Sequence, residues 1–207
     1  MPGSLTAEPR RCAEPAAGAG VGVGGGGGQS TTVRRAVSDR FTIRPAKTSD
    51  LGTIADSLVA GLTTYRGWTP VGWNPPQRTE MLLGLLQRFP RDGSWAHVAF
   101  ERQAPAGHIS LRPDRDEDEQ PRPDVALITH LFVREEYWGS GLAVALHEIG
   151  VADMRERGFQ SGRLLVASGH RRARRFYERE GWQVTGHVET SGELGLELAE
   201  YVLELPA

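Results

Sequence analysis

The 207-residue chain has little cysteine, no long apolar run and no excess of one charge. Its single cysteine, Cys12, allows no intrachain disulfide framework and suits a reducing, cytoplasmic setting. No stretch approaches the ~18 consecutive apolar residues of a membrane-spanning helix. The 24 Lys and Arg nearly balance the 26 Asp and Glu, for a formal charge of −2, so no global field favours nucleic acid. The six histidines lack ligand spacing such as HxxxH, and the acidic run Asp114 to Gln120 lacks the glycine and distal glutamate of a calcium loop. No metal is expected.

Glycine is abundant, with 26 residues, and unevenly placed. Residues 1–38 are rich in Ala, Gly and Pro and offer almost nothing to bury, which predicts a disordered tail before a domain over 39–207. Gly22 to Gly27 satisfies GxGxxG in form, but no strand precedes it and no helix follows, so it is no dinucleotide fingerprint.

From Phe41 the pattern becomes periodic. Arg40 to Ala46 reads as a strand. Leu51, Ile54, Ala55, Leu58 and Leu62 form one helical face after the capping residues Thr48 to Asp50. A loop rich in Gly, Pro and aromatics, Thr64 to Pro76, leads to a second helix, with Leu82, Leu85, Leu86 and Phe89 on one side and Pro90 ending it. Ser94 to Glu101 and Gly107 to Arg112 read as a hairpin linked by RQAPA. The acidic run reads as a solvated loop. Val125 to Val133, almost wholly apolar, reads as a strand buried on both faces. A helix follows with Leu142, Ala145, Leu146, Ile149 and Ala152 as its stripe and Gly158 past its end. A strand at Arg163 to Ala167, a basic helix from His170 to Glu180 with Ala173, Phe176 and Tyr177 inward, and strands near Trp182 to Val188 and Leu196 to Leu205 complete the chain. This β-α-α-β-β-β-α-β-α-β-β order predicts an α/β (α+β) fold, a mixed sheet covered by helices.

Trp138-Gly-Ser-Gly-Leu-Ala143 stands where a strand gives way to a helix. A helix N-terminus carries free N–H groups and about half a positive charge, and glycine lets an anion approach them. No Lys-Ser/Thr follows, which excludes a Walker A loop, and Val144 breaks GxGxxG spacing. A diphosphate of another kind, or a turn needing glycine only for its φ angles, both fit these residues.

The segment LFVREEYWGSGLA, together with LLVASGHRRARRFYEREGW at Leu164 to Trp182, resembles the GNAT superfamily of N-acetyltransferases. That family joins a strand, Gln/Arg-x-x-Gly-x-Gly/Ala and a helix, then a second strand, a polar residue often Asn, and Phe/Leu-Tyr-Glu. Trp138 stands at the Gln/Arg position and His170 at the Asn position. The resemblance implies a mostly antiparallel central sheet, helices on both faces and a strand pair that splays to admit acetyl-CoA. It further implies a pantetheine arm against Leu131, Phe132 and Val133, with His170 beside it, and a diphosphate at Trp138, Gly139, Ser140, Gly141, Leu142 and Ala143. Tyr177 takes the family's general-acid position. His130, with an ordinary pKa of ~6.5, is the candidate base. Tyr65, Trp68 and Trp73 are candidates for the wall of an acceptor pocket. The function implied is acetyl transfer to a primary amine of a small molecule or protein, as monomer or homodimer. A CoA-binding sensor without turnover is the alternative, and nucleic-acid binding by the arginine-rich helix is a third reading.

Overall fold

A computed structural model describes residues 37–89, 93–116 and 118–206. The glycine-rich segment, Cys12 and Pro90 lie outside the described residues. The elements follow the expected order. They are β1 (Thr42–Pro45), α1 (Leu51–Thr63), α2 (Arg78–Arg88), β2 (Trp95–Glu101), β3 (Ala104–Arg115), β4 (Pro121–Val133), α3 (Leu142–Glu156), β5 (Ser161–Ala167), α4 (Arg171–Arg179), β6 (Gln183–Ser191) and β7 (Leu196–Glu204). They build one sheet in the order β1-β2-β3-β4-β5-β7-β6. Every pairing is antiparallel except β4 with β5, the two strands joined through the crossover helix α3.

The period of two along β2 explains the layers. Trp95 and Ala99 join a core with Ile109, Leu111, Ile128, Leu146 and Met154, against α3. Ala96 and Val98 point the other way, onto Leu51, Ile54 and Leu58 of α1. Gly150 is a close approach rather than a turn: a Cβ there would lie 2.6 Å from Ile109 Cδ1, so α3 sits on the sheet only because its middle is bare.

Several sequence expectations need correcting. The hairpin link is two residues, Arg102 and Gln103, since Glu101 pairs with Ala104 and β3 already contains Ala104 to Ala106. Both prolines of β3 sit at register shifts, where a missing N–H costs the ladder least. Leu86 is 43% exposed, while Met81, Leu82, Leu85 and Phe89 pack on the α1 core. In α3 the buried set is Leu142, Leu146, His147, Gly150, Val151 and Met154, with Ala152 outside. The α3 stripe winds at 3.6 residues per turn and swings away from Ala152 by the helix end.

The largest correction is Asp114. β3 and β4 continue well past the apolar stretch, so this first acidic residue of the run is strand, 1% exposed, and not solvated loop. Asp114 accepts a hydrogen bond from Arg122 at 3.2 Å and lies 3.5 Å from Arg163. Arg163 also binds Glu200 at 2.5 Å and Glu189, gathering three carboxylates onto one guanidinium. Removing the shared partner leaves the buried Asp114 with Arg122 alone, so the cost is expected to fall below the about 3–5 kcal/mol of a fully unpaired buried charge. Arg163→Met is expected to lower the urea midpoint accordingly, with an unchanged slope. Asp114→Asn, which keeps a polar group in place, is expected to cost less.

Candidate active site

The site begins with one extra residue. Ser110 pairs with His130, but the next step pairs Leu111 with Ile128, so Thr129 is bulged out of the β3–β4 ladder. Its Oγ1 donates to Ser110 O at 3.0 Å. A bulge bends its strand and sharpens the local twist. Directly at this point β4 leaves β5: the parallel register runs from Val125/Ser161 to Ile128/Leu164 and stops. Beyond it Leu131, Phe132 and Val133 still pair with β3, and Leu165 to Ala167 still pair with β7. Their facing edges pair with no strand among the described residues, leaving a wedge lined by backbone N–H and C=O groups.

The glycine loop closes the end of this wedge. After a 3₁₀ turn at Glu135–Tyr137, Gly139 and Gly141 adopt φ of 80° and 87°, left-handed conformations that favour glycine. Gly141 is the N-cap of α3. Ser140 Oγ donates to Tyr137 O at 2.6 Å, and Ser140 N bonds the same carbonyl at 3.2 Å. The Leu142 amide reaches Ser140 Oγ at 3.3 Å, and the first helical bond runs from Ala145 N to Gly141 O. The amides of Gly139, Gly141, Ala143 and Val144 find no acceptor among the described residues. Four free donors at the head of a fifteen-residue helix form an anion cradle.

Trp138 does not face away from this cradle unused. Its indole N–H donates to Val133 O at 2.9 Å, and the Arg172 guanidinium stacks on its ring at 3.8 Å from the centroid. The indole N–H is thus taken by the end of β4, and the ring brings a cation from α4 beside the loop. Among the other arginines of α4, Arg174 donates to Tyr201 Oη at 2.9 Å and Ser168 O at 3.2 Å, and Arg179 pairs with Glu180 at 3.3 Å.

Tyr177 is 9% exposed, with its ring against Phe176, Trp182 and Tyr201. Burial, helped by the nearby Tyr65 phenol, pushes its pKa well above the ordinary tyrosine range, so the group keeps its proton. His130 lies on the same sheet face as His108, towards α1 and α2. Its pKa is not the ordinary 6.5 assumed from sequence: burial, with the Arg88 charge, lowers it to about 4, leaving a neutral but weaker base at pH 7.

The family model for the Acetyltransferase (GNAT) family matches residues 60–182, a span that holds the wedge, the glycine loop and Tyr177. The chain belongs to the GNAT acetyltransferase family. It is therefore an acyltransferase, and its seven-stranded sheet is that family's fold. Solved structures agree on the fold. Similar to this chain are yncA of Salmonella typhimurium with its cofactor acetyl-CoA (19% identity, 81% of this chain and 95% of that one, TM-score 0.62), an N-acetyltransferase of Staphylococcus aureus Mu50 (15%, 80% and 99%, 0.63) and the paia N-acetyltransferase of Thermoplasma acidophilum in complex with coenzyme A (18%, 77% and 97%, 0.58). No curated protein matches the sequence.

In this GNAT chain the aromatic loop divides. Tyr65 and Trp68 meet edge to face at 5.3 Å, and both contact the His170 ring, at 6.0 and 4.8 Å. His170 caps α4, its Nδ1 accepting from Ala173 N at 3.4 Å, which fixes the unprotonated nitrogen; burial lowers its pKa. Trp73 is drawn elsewhere: its indole donates to Glu193 O at 3.1 Å, tying the loop to the β6–β7 turn. Sequence reasoning missed Arg172 as the arginine at the loop, Thr129 as the bulge and His108 as a neighbour of His130. Only the bulge's polar interruption of an apolar strand offered any signal. Among the described residues no His/Cys/Asp/Glu group suits a metal, and no helix is long and apolar enough to cross a membrane. A cavity of about 350 Å³, walled by Trp95, His97, Asp153 and Arg157, lies at the far end of α3 and contains none of these residues.

Proposed function

We propose that the protein transfers an acetyl group from acetyl-CoA to a primary amine by direct attack on the thioester. The observation that carries this reading is the adjoining of a strand wedge and a helix N-terminus with four free amides. Gly139, Gly141, Ala143 and Val144 would hold the diphosphate through backbone N–H groups, with Arg172 supplying a nearby cation. Leu131 to Val133 would pair with the pantetheine amides as an added strand. Tyr65, Trp68 and His170 would border the acceptor.

The chemistry balances with groups of this chain. The acceptor ammonium, of ordinary pKa ~10.4, gives a proton to His130 and attacks as the free amine. The C–N bond forms and the C–S bond breaks. The N–H groups of Leu131 and Val133 point away from β3, since Arg134 N bonds Ala106 O and the alternate pair Phe132/His108 faces inward, and one of them would meet the developing oxyanion. Tyr177 gives its proton to the departing thiolate, and the second proton lost by nitrogen restores the phenol. One proton in total is released to solvent from His130.

Calorimetric titration of the full chain with acetyl-CoA tests the reading. Saturable one-to-one binding is expected, and no heat at millimolar ligand would remove it. Gly139→Ala gives the sharper control. A Cβ there meets no protein atom within 4 Å, so its cost to the free protein is conformational, about 1–2 kcal/mol. The same methyl group would stand in the cradle, and at least a roughly tenfold weaker Kd is expected.

A further inference from the structure

Three ring nitrogens on the α1/α2 face of the sheet have no hydrogen-bond partner among the described residues: Nδ1 and Nε2 of His108 and Nδ1 of His130. His108 is 1% exposed. A neutral imidazole carries one N–H and one lone pair, and leaving both unmatched inside a protein is unfavourable. Buried groups of this kind are normally satisfied by protein or by an ordered water.

The two rings are neighbours because of the bulge. His108 pairs with Phe132 and Ser110 with His130, which places the histidines diagonally on adjacent strands and on one face. Were Thr129 paired regularly instead of bulged, His130 would come two residues after Ile128 in strict alternation and point to the α3 side. The ring centroids are 6.3 Å apart at an interplanar angle of 56°. Ring nitrogens stand about 1 Å from the centroid, so the nearest pair is roughly 4 Å or more apart, too long for a direct bond and suited to one intervening water. Phe132, 6.0 Å from His108 and packed against Gly61 of α1, closes one side. Val98 lies across the strand pair from His108. The charged group acting on the pair from the helices is Arg88 of α2; no carboxylate acts on either ring among the described residues.

We infer that a bound water bridges His108 and His130, making His108 a positioning residue for His130 as the proton acceptor in acetyl transfer. The inference rests on the proposed function. The water accepts the Nδ1–H of His130 and donates to His108. That fixes the His130 tautomer and leaves its lone pair on Nε2 for the acceptor's proton. Burial keeps His108 neutral, with a pKa lowered to about 3, so it orients the relay without competing for the proton. The bridge also stabilises the His130 imidazolium while it holds the proton, offsetting part of the burial that weakens it as a base. The proton moves from the acceptor nitrogen to His130 Nε2 and then to solvent, with no other co-reactant.

Ring ¹⁵N spectra of the full-length wild type decide the bridge without any acceptor. At pH 7 His130 is expected as a single neutral Nδ1–H tautomer; an Nε2–H tautomer would overturn the inference. His108→Phe should turn His130 into a tautomer mixture and lower kcat about tenfold or more, with the acetyl-CoA Kd unchanged. The acceptor for that assay is the fastest amine of a primary-amine panel. His108→Asn, which still holds a water, should restore kcat to within about threefold of wild type. Equal kcat in wild type and His108→Phe would also overturn the inference. Failure of acetyl-CoA to bind the wild type removes the transfer reading itself; bound acetyl-CoA with an Nε2–H His130 removes only the bridge.

Discussion

Tyr177→Phe is expected to lower kcat by about 10²- to 10⁴-fold while leaving the acetyl-CoA Kd within about twofold. The substitution deletes one oxygen from a ring already fixed by Phe176, Trp182 and Tyr201, so packing and binding change little. What disappears is the proton for the thiolate. Burial raises the phenol's pKa, which ordinarily would make it a poorer acid towards a thiol of pKa ~8.5. A thiolate leaving into the same low-dielectric surroundings is penalised in the same direction, so the two groups remain matched better than their values in water imply. The raised value also predicts no loss of kcat on the alkaline side until above about pH 10, where the phenol ionises. Thiol release with the best amine of the panel measures the rate, and calorimetry measures the Kd. A kcat unchanged within about twofold would take the phenol out of the reaction.

The second large effect is acid destabilisation in an unusually high window. His108, His130 and His147 have pKa values lowered to about 3, 4 and 4, principally by burial. His147 accepts the Trp182 indole N–H at 2.8 Å, which requires a neutral ring. For each, the folded value lies below the unfolded value of ~6.5, so the unfolded chain binds more protons between them. Stability is fully present above pH ~6.5 and falls as pH drops towards the folded values. With all three contributing, unfolding takes up about three protons in mid-window, a slope on the order of 4 kcal/mol per pH unit. The carboxylates lowered by ion pairs, such as Asp50 beside Arg44 and Glu101 beside Arg40, add the same sign of dependence only below their ordinary range near 4.5. Urea unfolding between pH 7.5 and 5 separates the two. A flat midpoint across that range would show that these rings are not buried neutral. His147→Gln should reduce the slope by about one proton.

The order of elements, the glycine loop and the inward side of α4 were legible in the chain because each rests on local chemistry. Turn residues, apolar periodicity and a positive-φ requirement act within a few positions, and Gly139, Gly141 and Tyr177 could be read that way. Other features join residues far apart. Asp114 reads as loop until Arg163, on a strand reached through a crossover helix, comes within ion-pair distance. Trp73 belongs to the same aromatic segment as Trp68, yet its indole is taken by the β6–β7 turn. Arg172 is one of five arginines in its helix region and gains its place only by stacking on Trp138.

The bulge at Thr129 shows the difference most directly. Composition identifies β4 as a strand, but side chains alternate faces along it, so a single extra residue reverses every assignment beyond it. The bulged pairing sends His130 to the face of His108, at the point where β4 parts from β5. The sequence determined which groups the protein would use, in the proposed reaction, to hold a diphosphate and move a proton. The register of the sheet decided which of them meet, because a one-residue shift is nearly free in local terms and changes the whole of the long-range packing.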